Sequence, residues 1–303
     1  MTVNAFRSKF VIPDRSVIQW FPGHMSKGIQ QIMGRGRRCD VVLEIHDARV
    51  PVSGRNPRLG QLLGGKPRML VLNKIDLADD KCTKEFVTAL RQRGNHKVFA
   101  VDSKVQYDEC IKKEILPCMI DLAGGMVPKK GISIMILGTP NIGKSSFINA
   151  MRRCYLKKSK IAPVGALAGV TRAVQSKITV SRDPLVYLVD TPGILEPRID
   201  SVEVGMKLAI TGMLRDYSVG LELIADYVLY TLNKHEKFDY ITHFNMDAPS
   251  DDIDNVLRCI AKRIGALMKG GRIDYPRAAQ YMIVKYRDGK LGRITLDNID
   301  DLK

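Results

Sequence analysis

Residues 138–145, Gly-Thr-Pro-Asn-Ile-Gly-Lys-Ser, constrain the fold of this chain more than any other feature. They match the pattern G-x-x-x-x-G-K-S/T in full, they follow the apolar run Ile132–Leu137, and they precede a plausible helix start. In such a loop, backbone N–H groups and the helix N-terminus bind phosphate oxygens. Lys144 is expected to reach the β- and γ-phosphates, and the Ser145 hydroxyl is expected to hold Mg²⁺. A chance glycine-rich turn is the alternative, and the flanking strand and helix argue against it.

Six apolar runs predict the strands of one sheet. They alternate with helical or polar stretches, and most are near-continuous in apolar residues, which is typical of strands buried on both faces of a largely parallel sheet. The order of strands and helices predicts an α/β domain over residues 20–198. The predicted strands are Val41–His46, Met69–Leu72, Val98–Val101, Ile132–Leu137, Ile178–Val180 and Leu185–Val189.

The pattern becomes helical after Gly193. Apolar residues recur at helical spacing, and Ser250 followed by two aspartates is a favourable helix start. We therefore expect a small all-helical domain over residues 199–303, preceded by the α/β domain and by an N-terminal arm of residues 1–19. The predicted helices are Val202–Leu214, Val219–Leu232, Ile253–Met268 and Pro276–Tyr286.

Asn73-Lys-Ile-Asp76 selects the base. Its aspartate can accept hydrogen bonds from N1–H and the 2-amino group of guanine, and adenine offers neither arrangement. Asn73 can bond the other edge of the base, the Lys74 stem can pack along the ring, and the backbone near Ser103 can donate to the guanine oxygen. The sequence therefore predicts GTP and GDP as ligands. The predicted contacts are Asn73, Lys74, Ile75, Asp76, Ser103, Lys104, Asn141, Ile142, Gly143, Lys144, Ser145, Ser146 and Gly193.

Asp190-Thr-Pro-Gly193 ends another apolar run and predicts the sensor of the γ-phosphate. Asp190 would hold Mg²⁺ through water, and the Gly193 amide would sense the phosphate. Thr171 is the best candidate for a mobile threonine that completes the metal shell together with Ser145. A loop ordered by the γ-phosphate and released on hydrolysis is a switching device.

Composition narrows the class of protein. The net charge of +16, from 48 lysines and arginines against 32 acidic residues, favours a polyanionic partner, although some proteins are merely basic. Hydrophobic residues make up 45% of the chain, so intrinsic disorder is not expected. The six cysteines are scattered without a C-x-x-C pair, which argues against secreted disulfides and zinc. No apolar run approaches the roughly 18 residues of a transmembrane segment.

The order of these motifs is permuted. Asn73–Asp76 and Asp102–Lys104 precede the phosphate loop, whereas ordinary GTPases begin with that loop and place NKxD late. Such a permutation is allowed because domain termini often lie close together. With Trp20–Met25 (WFPGHM), Asp47–Pro57 (DARVPVSGRNP) and Gly289–Leu296 (GKLGRITL), the chain resembles the circularly permuted GTPases of the YlqF/RbgA type. The resemblance covers nearly all residues after about 18.

The resemblance implies a P-loop GTPase domain with a mostly parallel six-stranded sheet, followed by a helical RNA-binding domain. It implies a factor that binds the large ribosomal subunit in its GTP form and leaves after hydrolysis. The alternative function is a GTP-dependent switch for another RNA or a membrane surface. The alternative reading of the basic residues is that they form only a solvated face. The expected contacts to ribosomal RNA are Arg258, Lys262, Arg263, Lys269, Arg272 and Arg277.

Catalysis follows from the resemblance less directly. Ile194 stands where many GTPases place a glutamine that orients the attacking water. The resemblance offers His24 in that role, and the alternative is that His24 packs beside Trp20. It also offers Asn141 as a K⁺ ligand that offsets transition-state charge, against a simple turn asparagine.

The N-terminus bears on the compartment. Before Trp20 it carries Arg7, Lys9 and Arg15 against one acid, Asp14, and no secretory signal. Together with the resemblance this favours a mitochondrial protein, in the matrix or peripherally on the matrix face of the inner membrane. A bacterial cytoplasmic protein is the alternative.

Overall fold

A six-stranded sheet carries the motifs identified above. The computed structural model describes residues 6–12, 38–56, 65–94, 97–105, 109–157, 177–193, 199 and 201–302. In it the strand order is β3-β2-β1-β4-β6-β5, and every neighbouring pair is parallel except β5 with β6. The expected mostly parallel six-stranded sheet is confirmed. The strands are β1 (Val41–Asp47), β2 (Arg68–Asn73), β3 (Lys97–Val101), β4 (Ile132–Leu137), β5 (Ile178–Arg182) and β6 (Leu185–Val189).

The strand order brings the motifs to one edge of the sheet. In the sheet, β2 and then β3 lie on one side of β1, and β4 and then β6 lie on its other side. The strand order therefore reverses between β1 and β4. Ligands of open α/β sheets bind at such a switch point, beyond the carboxyl ends of the strands. Asn73 ends β2, Gly138 follows β4, and Asp190 follows β6. Three predicted motifs therefore share this edge.

Helices of the sheet unit follow the strands. Every residue of β4 is buried, as its unbroken apolar sequence predicts. The helix after it begins at Lys144, directly after Gly143 with φ +94°. The helices are α1 (Asp80–Gly94), α2 (Leu116–Leu122, continuing a π-helical turn at Ile111–Ile115) and α3 (Lys144–Leu156), with a 3₁₀ turn at Ile75–Leu77.

A second unit consists of helices. Side-chain caps begin three of them: Ser201, Asp252 and Asp274 each accept a hydrogen bond from a backbone N–H of the first turn. The helix from residue 253 ends at Ile264 rather than at the predicted Met268, because Gly265 adopts φ +63° and closes it. The helices are α4 (Val202–Ile210), α5 (Leu221–Lys234), α6 (Asp239–Phe244), α7 (Ile253–Ile264) and α8 (Tyr275–Arg287), and α6 was not predicted.

The described part of the N-terminal arm, residues 6–12, packs on the helical unit. Arg7 Nη2 lies 2.8 Å from Asp226 Oδ1, and the Arg7 backbone N–H donates to Asp251 Oδ2 at 2.7 Å. The Phe10 ring lies 4.9 Å from the Tyr227 ring and 5.5 Å from that of Tyr230, measured between centroids. Arg7 Nε also lies 3.1 Å from Asp251 Oδ1, so two ion pairs and an aromatic cluster hold this segment.

The segment Thr295–Leu302 departs from the predicted domain boundary. The sequence assigns residues 199–303 to the helical domain, whereas this segment groups with the sheet. Leu302 is buried in a cluster with Phe86 and Leu90 of α1. The difference has a physical reason, because burying these apolar side chains against α1 removes them from water.

Two negative findings concern the described part of the chain. None of its helices has the length and apolar character that spanning a membrane requires. It also contains no group of three or more histidine, cysteine and acidic side chains placed to hold a metal ion, and its six cysteines form no disulfide bond.

Candidate functional site

The loop between β4 and α3 requires its glycines. Gly138 has φ +149° and Gly143 has φ +94°. A Cβ atom at Gly138 would lie 2.4 Å from the Ile45 carbonyl oxygen, and one at Gly143 would lie 2.4 Å from Asn73 Nδ2. Backbone conformation and close approach therefore both exclude a side chain. The loop delivers the N-terminus of α3, with its unpaired N–H groups, to the edge of the sheet.

Lys144 lies folded over this loop. Its Nζ donates to the carbonyl oxygens of Gly138, at 3.1 Å, and Thr139, at 2.6 Å. Burial lowers the pKa of Lys144 to about 8, although the Asp190 carboxylate opposes the shift. A buried ammonium bonded to neutral carbonyls is well placed to attract a phosphate group.

Ser145 and Asp190 supply hard oxygen ligands. Ser145 Oγ donates to Asp190 Oδ2 at 3.1 Å. Asp190 is fully buried, and its Oδ1 has no hydrogen-bond partner among the described residues. Burial raises the pKa of Asp190, against the opposing effects of Lys144 and Ser145. A hydroxyl and a buried carboxylate with a spare oxygen fit Mg²⁺, held directly or through water.

The segment after β6 lies against the phosphate loop. Thr191 Oγ1 donates to the Ile136 carbonyl of β4 at 2.5 Å. A Cβ atom at Gly193 would lie 2.5 Å from Pro140 Cα, so glycine is required for this approach. The backbone of Gly193 thus lies beside the loop that would hold the phosphates.

Asn73 connects three motifs. Its Nδ2 donates to the Ile142 carbonyl at 2.8 Å, and its Oδ1 accepts from Ser103 Oγ at 2.8 Å and from the Ser103 N–H at 3.2 Å. The sequence predicts that Asn73 bonds the base and that the backbone near Ser103 donates to the guanine oxygen, and both contacts stay predictions. Both groups are used here to bind the loops to each other, because a buried amide needs partners on both of its ends.

Asp76 and Lys104, both predicted to contact the guanine nucleotide, form an ion pair. Lys104 Nζ lies 3.2 Å from Asp76 Oδ2. Asp76 Oδ1 is buried without a hydrogen-bond partner among the described residues. An acceptor of this kind suits the N1–H and 2-amino donors of guanine.

The sequence analysis did not predict the contacts that hold the Lys74 side chain in place. Lys74 has φ +63°, and its Nζ lies 3.0 Å from Asp47 Oδ2 while also donating to the Asn141 carbonyl. Asp47 accepts from Arg49 Nε at 2.9 Å and from Arg49 Nη2 at 2.8 Å. Burial alone would raise the pKa of Asp47, but Arg49 and Lys74 outweigh it and hold that pKa well below its usual range. The sequence signal for this ion pair was Asp47 and Arg49, an acid and an arginine two residues apart at the end of β1.

Comparison with known proteins decides the family. The chain is 36% identical over 293 residues to the Ribosome biogenesis GTPase A of Bacillus cereus, which covers 94% of this chain and 95% of that protein. It is 41% identical over 309 residues to the Mitochondrial ribosome-associated GTPase 1 of Ictalurus punctatus, with 96% of each chain covered. The chain belongs to the circularly permuted GTPases of the YlqF/RbgA family. It is therefore a GTPase, as the sequence predicts.

A solved structure agrees with the YlqF/RbgA fold. GNP-bound YlqF from T. maritima matches with a TM-score of 0.58 at 24% identity, covering 90% of this chain and 98% of that one. The family model described as "50S ribosome-binding GTPase" matches residues 133–260. That match begins within β4 and leaves the NKID motif ahead of it, as the permuted motif order requires.

The six residues that the sequence predicts to contact RNA are all exposed. They lie on α7 (Arg258, Lys262 and Arg263), between α7 and α8 (Lys269 and Arg272) and in the first turn of α8 (Arg277).

The sequence missed further cations near the same helices. Lys285 Nζ lies 5.0 Å from the centroid of the Tyr281 ring. Burial lowers the pKa of His243, and Arg263, Lys285 and Lys290 lower it further. Three cations from different segments therefore converge on one histidine.

Several predicted residues lie outside the described residues. They are His24 and its neighbour Trp20, Thr171, and Ile194.

Proposed function

We propose that this GTPase assembles the large ribosomal subunit, binding the immature particle in its GTP form and leaving after hydrolysis. The observation that carries the proposal is the exposed basic face of α7, α8 and the turn between them, on a chain of net charge +16. Relatives named for ribosome association and ribosome biogenesis support it. Cations on such a face bind the RNA backbone by releasing its counterions.

In this proposal the nucleotide site works by position and charge. Lys144 moves from loop carbonyls to the β- and γ-phosphates, and Asp76 accepts from the guanine edge. Mg²⁺, when bound, neutralises phosphate charge, and Ser145, Thr171 and water on Asp190 hold it. Gly193 contributes its backbone N–H to the γ-phosphate.

The catalytic part of the proposal concerns the attacking water. His24 orients that water, in place of the glutamine that Ile194 replaces, when the ribosomal particle is bound. Asn141 would hold K⁺, whose charge would offset transition-state charge when the ion is bound. An imidazole suits the role because its pKa lies near neutral.

We place the protein in mitochondria. Relatives at 41% identity from Ictalurus punctatus, Bos taurus and Mus musculus carry mitochondrial names. The matrix or the matrix face of the inner membrane is the proposed location.

The decisive experiment measures GTP turnover in K⁺ buffer, alone and with isolated large or small mitochondrial subunits. Stimulation by the large subunit alone supports the proposal, and stimulation by neither subunit overturns it. His24→Ala should keep nucleotide affinity and lose the stimulation. Tighter binding of the GTP-bound than of the GDP-bound protein to immature large subunits tests the release step.

One observation favours a second candidate, a GTP-dependent switch at a membrane surface. Leu267 and Met268 are 54% and 50% exposed, beside the cations Lys269 and Arg272. Apolar side chains flanked by cations suit the interface of an anionic bilayer. Flotation with cardiolipin vesicles, in GTP and in GDP, tests it, and nucleotide-independent recovery at the bottom of the gradient excludes it.

A further inference from the structure

Asp47 lies fully buried between two cations. Its carboxylate accepts two hydrogen bonds from the Arg49 side chain and lies 3.0 Å from Lys74 Nζ. Lys74 in turn donates to the Asn141 carbonyl of the phosphate loop. A continuous chain of charge-assisted contacts thus runs from the loop after β1 to the phosphate loop.

Residues 295–297 hold the outer end of this chain of contacts. The Leu296 N–H donates to the Arg49 carbonyl at 2.7 Å. Asp297 accepts from the N–H groups of Val52, at 2.9 Å, and Ser53, at 2.8 Å, and from Ser53 Oγ at 2.6 Å.

The same segment also fixes the loop that follows the NKID motif. Thr295 Oγ1 accepts from the Asp79 N–H at 3.1 Å. Thr295 and Asp297 therefore hold the two loops that lead away from β1 and from the base-binding motif.

We propose that Asp47 is a positioning residue for Lys74, and that nucleotide affinity depends on Thr295–Asp297 because this segment holds the loop that carries Arg49. The proposal rests on the assignment of the nucleotide site given above. If the loop that carries Arg49 shifts, Arg49 moves away from Asp47, and the buried charges lose part of their compensation. Lys74 and the phosphate loop then lose their alignment.

The test compares two matched variants of the full chain, Asp297→Asn and Asp300→Asn. Both remove one negative charge from Thr295–Leu302, and Asp300 is exposed in the 3₁₀ turn Ile299–Asp301. Affinity for a fluorescent GDP analogue, with Mg²⁺, is the measurement. We expect Asp297→Asn to weaken binding at least about fivefold, the lower end of typical coupling between sites, and Asp300→Asn to leave it unchanged.

A Lys74→Met background separates positioning from general destabilisation. If the effect passes through Lys74, Asp297→Asn adds no further loss of affinity there. An equal loss in both backgrounds, or equal affinities of the two aspartate variants, overturns the proposal. If Lys74→Met alone leaves GDP affinity unchanged, the nucleotide-site assignment fails instead.

Asp47→Asn tests the centre directly. It keeps the shape of the side chain and should weaken GDP binding only where Lys74 is present. Because removing the charge from a buried pair can prevent folding, circular dichroism accompanies the measurement. If this variant does not fold, the comparison of Asp297→Asn with Asp300→Asn decides the proposal.

Discussion

The side chain of Asn73 is hydrogen-bonded to the backbone of Ile142, with 2.8 Å between Nδ2 and the carbonyl oxygen, although 69 positions separate the two residues. This contact joins the base-binding motif to the phosphate loop. The other end of the same amide holds Ser103. One buried side chain thus sets the spacing between the two halves of the nucleotide site.

We expect Asn73→Ala to lower both the stability and the GDP affinity of the protein. It leaves the Ile142 carbonyl and the Ser103 hydroxyl without this partner, which costs about 1–3 kcal/mol of unfolding free energy for a buried group. Urea denaturation with and without GDP measures both effects. Asn255→Ala, on the exposed face of α7, is the control. Equal unfolding free energies for the two variants would contradict the prediction.

GDP affinity should fall as the pH rises through about 8. The pKa of Lys144 is about 8 in the ligand-free protein, and a bound phosphate raises it, so binding favours the protonated lysine. The affinity is then constant below this pH and falls by up to about tenfold per pH unit above it. Titrations from about pH 6.5 to about pH 9 test this. Lys144→Arg stays charged throughout, and a break near pH 8 in that variant would refute the assignment to Lys144.

Asp76→Asn should exchange guanine for xanthine specificity. An amide can donate to the C2 carbonyl of xanthine, whereas it no longer offers two acceptors to guanine. We expect GTP affinity to fall by about 100-fold or more, and XTP to bind in its place. Competition of each nucleotide against fluorescent GDP or XDP is the measurement. Asp121→Asn, an exposed residue on α2, should keep GTP specificity. Retained GTP preference in Asp76→Asn would exclude the base-binding role.

Substitutions on the basic face of α7, α8 and the turn between them should reduce the salt dependence of RNA affinity. If Lys262 and Arg272 contact phosphates, each alanine substitution lowers the slope of log affinity against log salt by about 0.9 in a helical RNA. Filter binding to large-subunit ribosomal RNA at several salt concentrations measures the slope. Lys81→Ala, exposed on α1, should leave it unchanged. Identical slopes for all three variants would assign RNA contact to another surface.

Local patterns predicted the sheet well. Val41, Ile132 and Leu185 each begin a strand in the structure as in the prediction. Unbroken apolar runs are a strong signal because both faces of these strands are buried. The phosphate loop was equally accessible, since its glycines are required by backbone geometry that Gly138 and Gly143 show directly.

The missed features depend on distant partners. Asp297 binds Ser53 across 244 positions, and no local pattern of either segment predicts that pairing. The hydrogen bonds of Asn73 with Ile142 and Ser103 join segments 69 and 30 positions away, and no local pattern predicts them. The short helix α6 has a Phe residue, not a capping side chain, before its first turn, so it lacked a start signal.

Along the chain, the helices of the helical unit are inserted into the unit that contains the sheet. The last contribution to the nucleotide unit, Thr295–Leu302, follows every helix of the other unit in the order of synthesis. Domains generally fold as units while the chain emerges. Asp297, which holds the loop after β1, is therefore synthesised last, and a nascent chain carries every residue predicted to bind phosphate before that loop can be held.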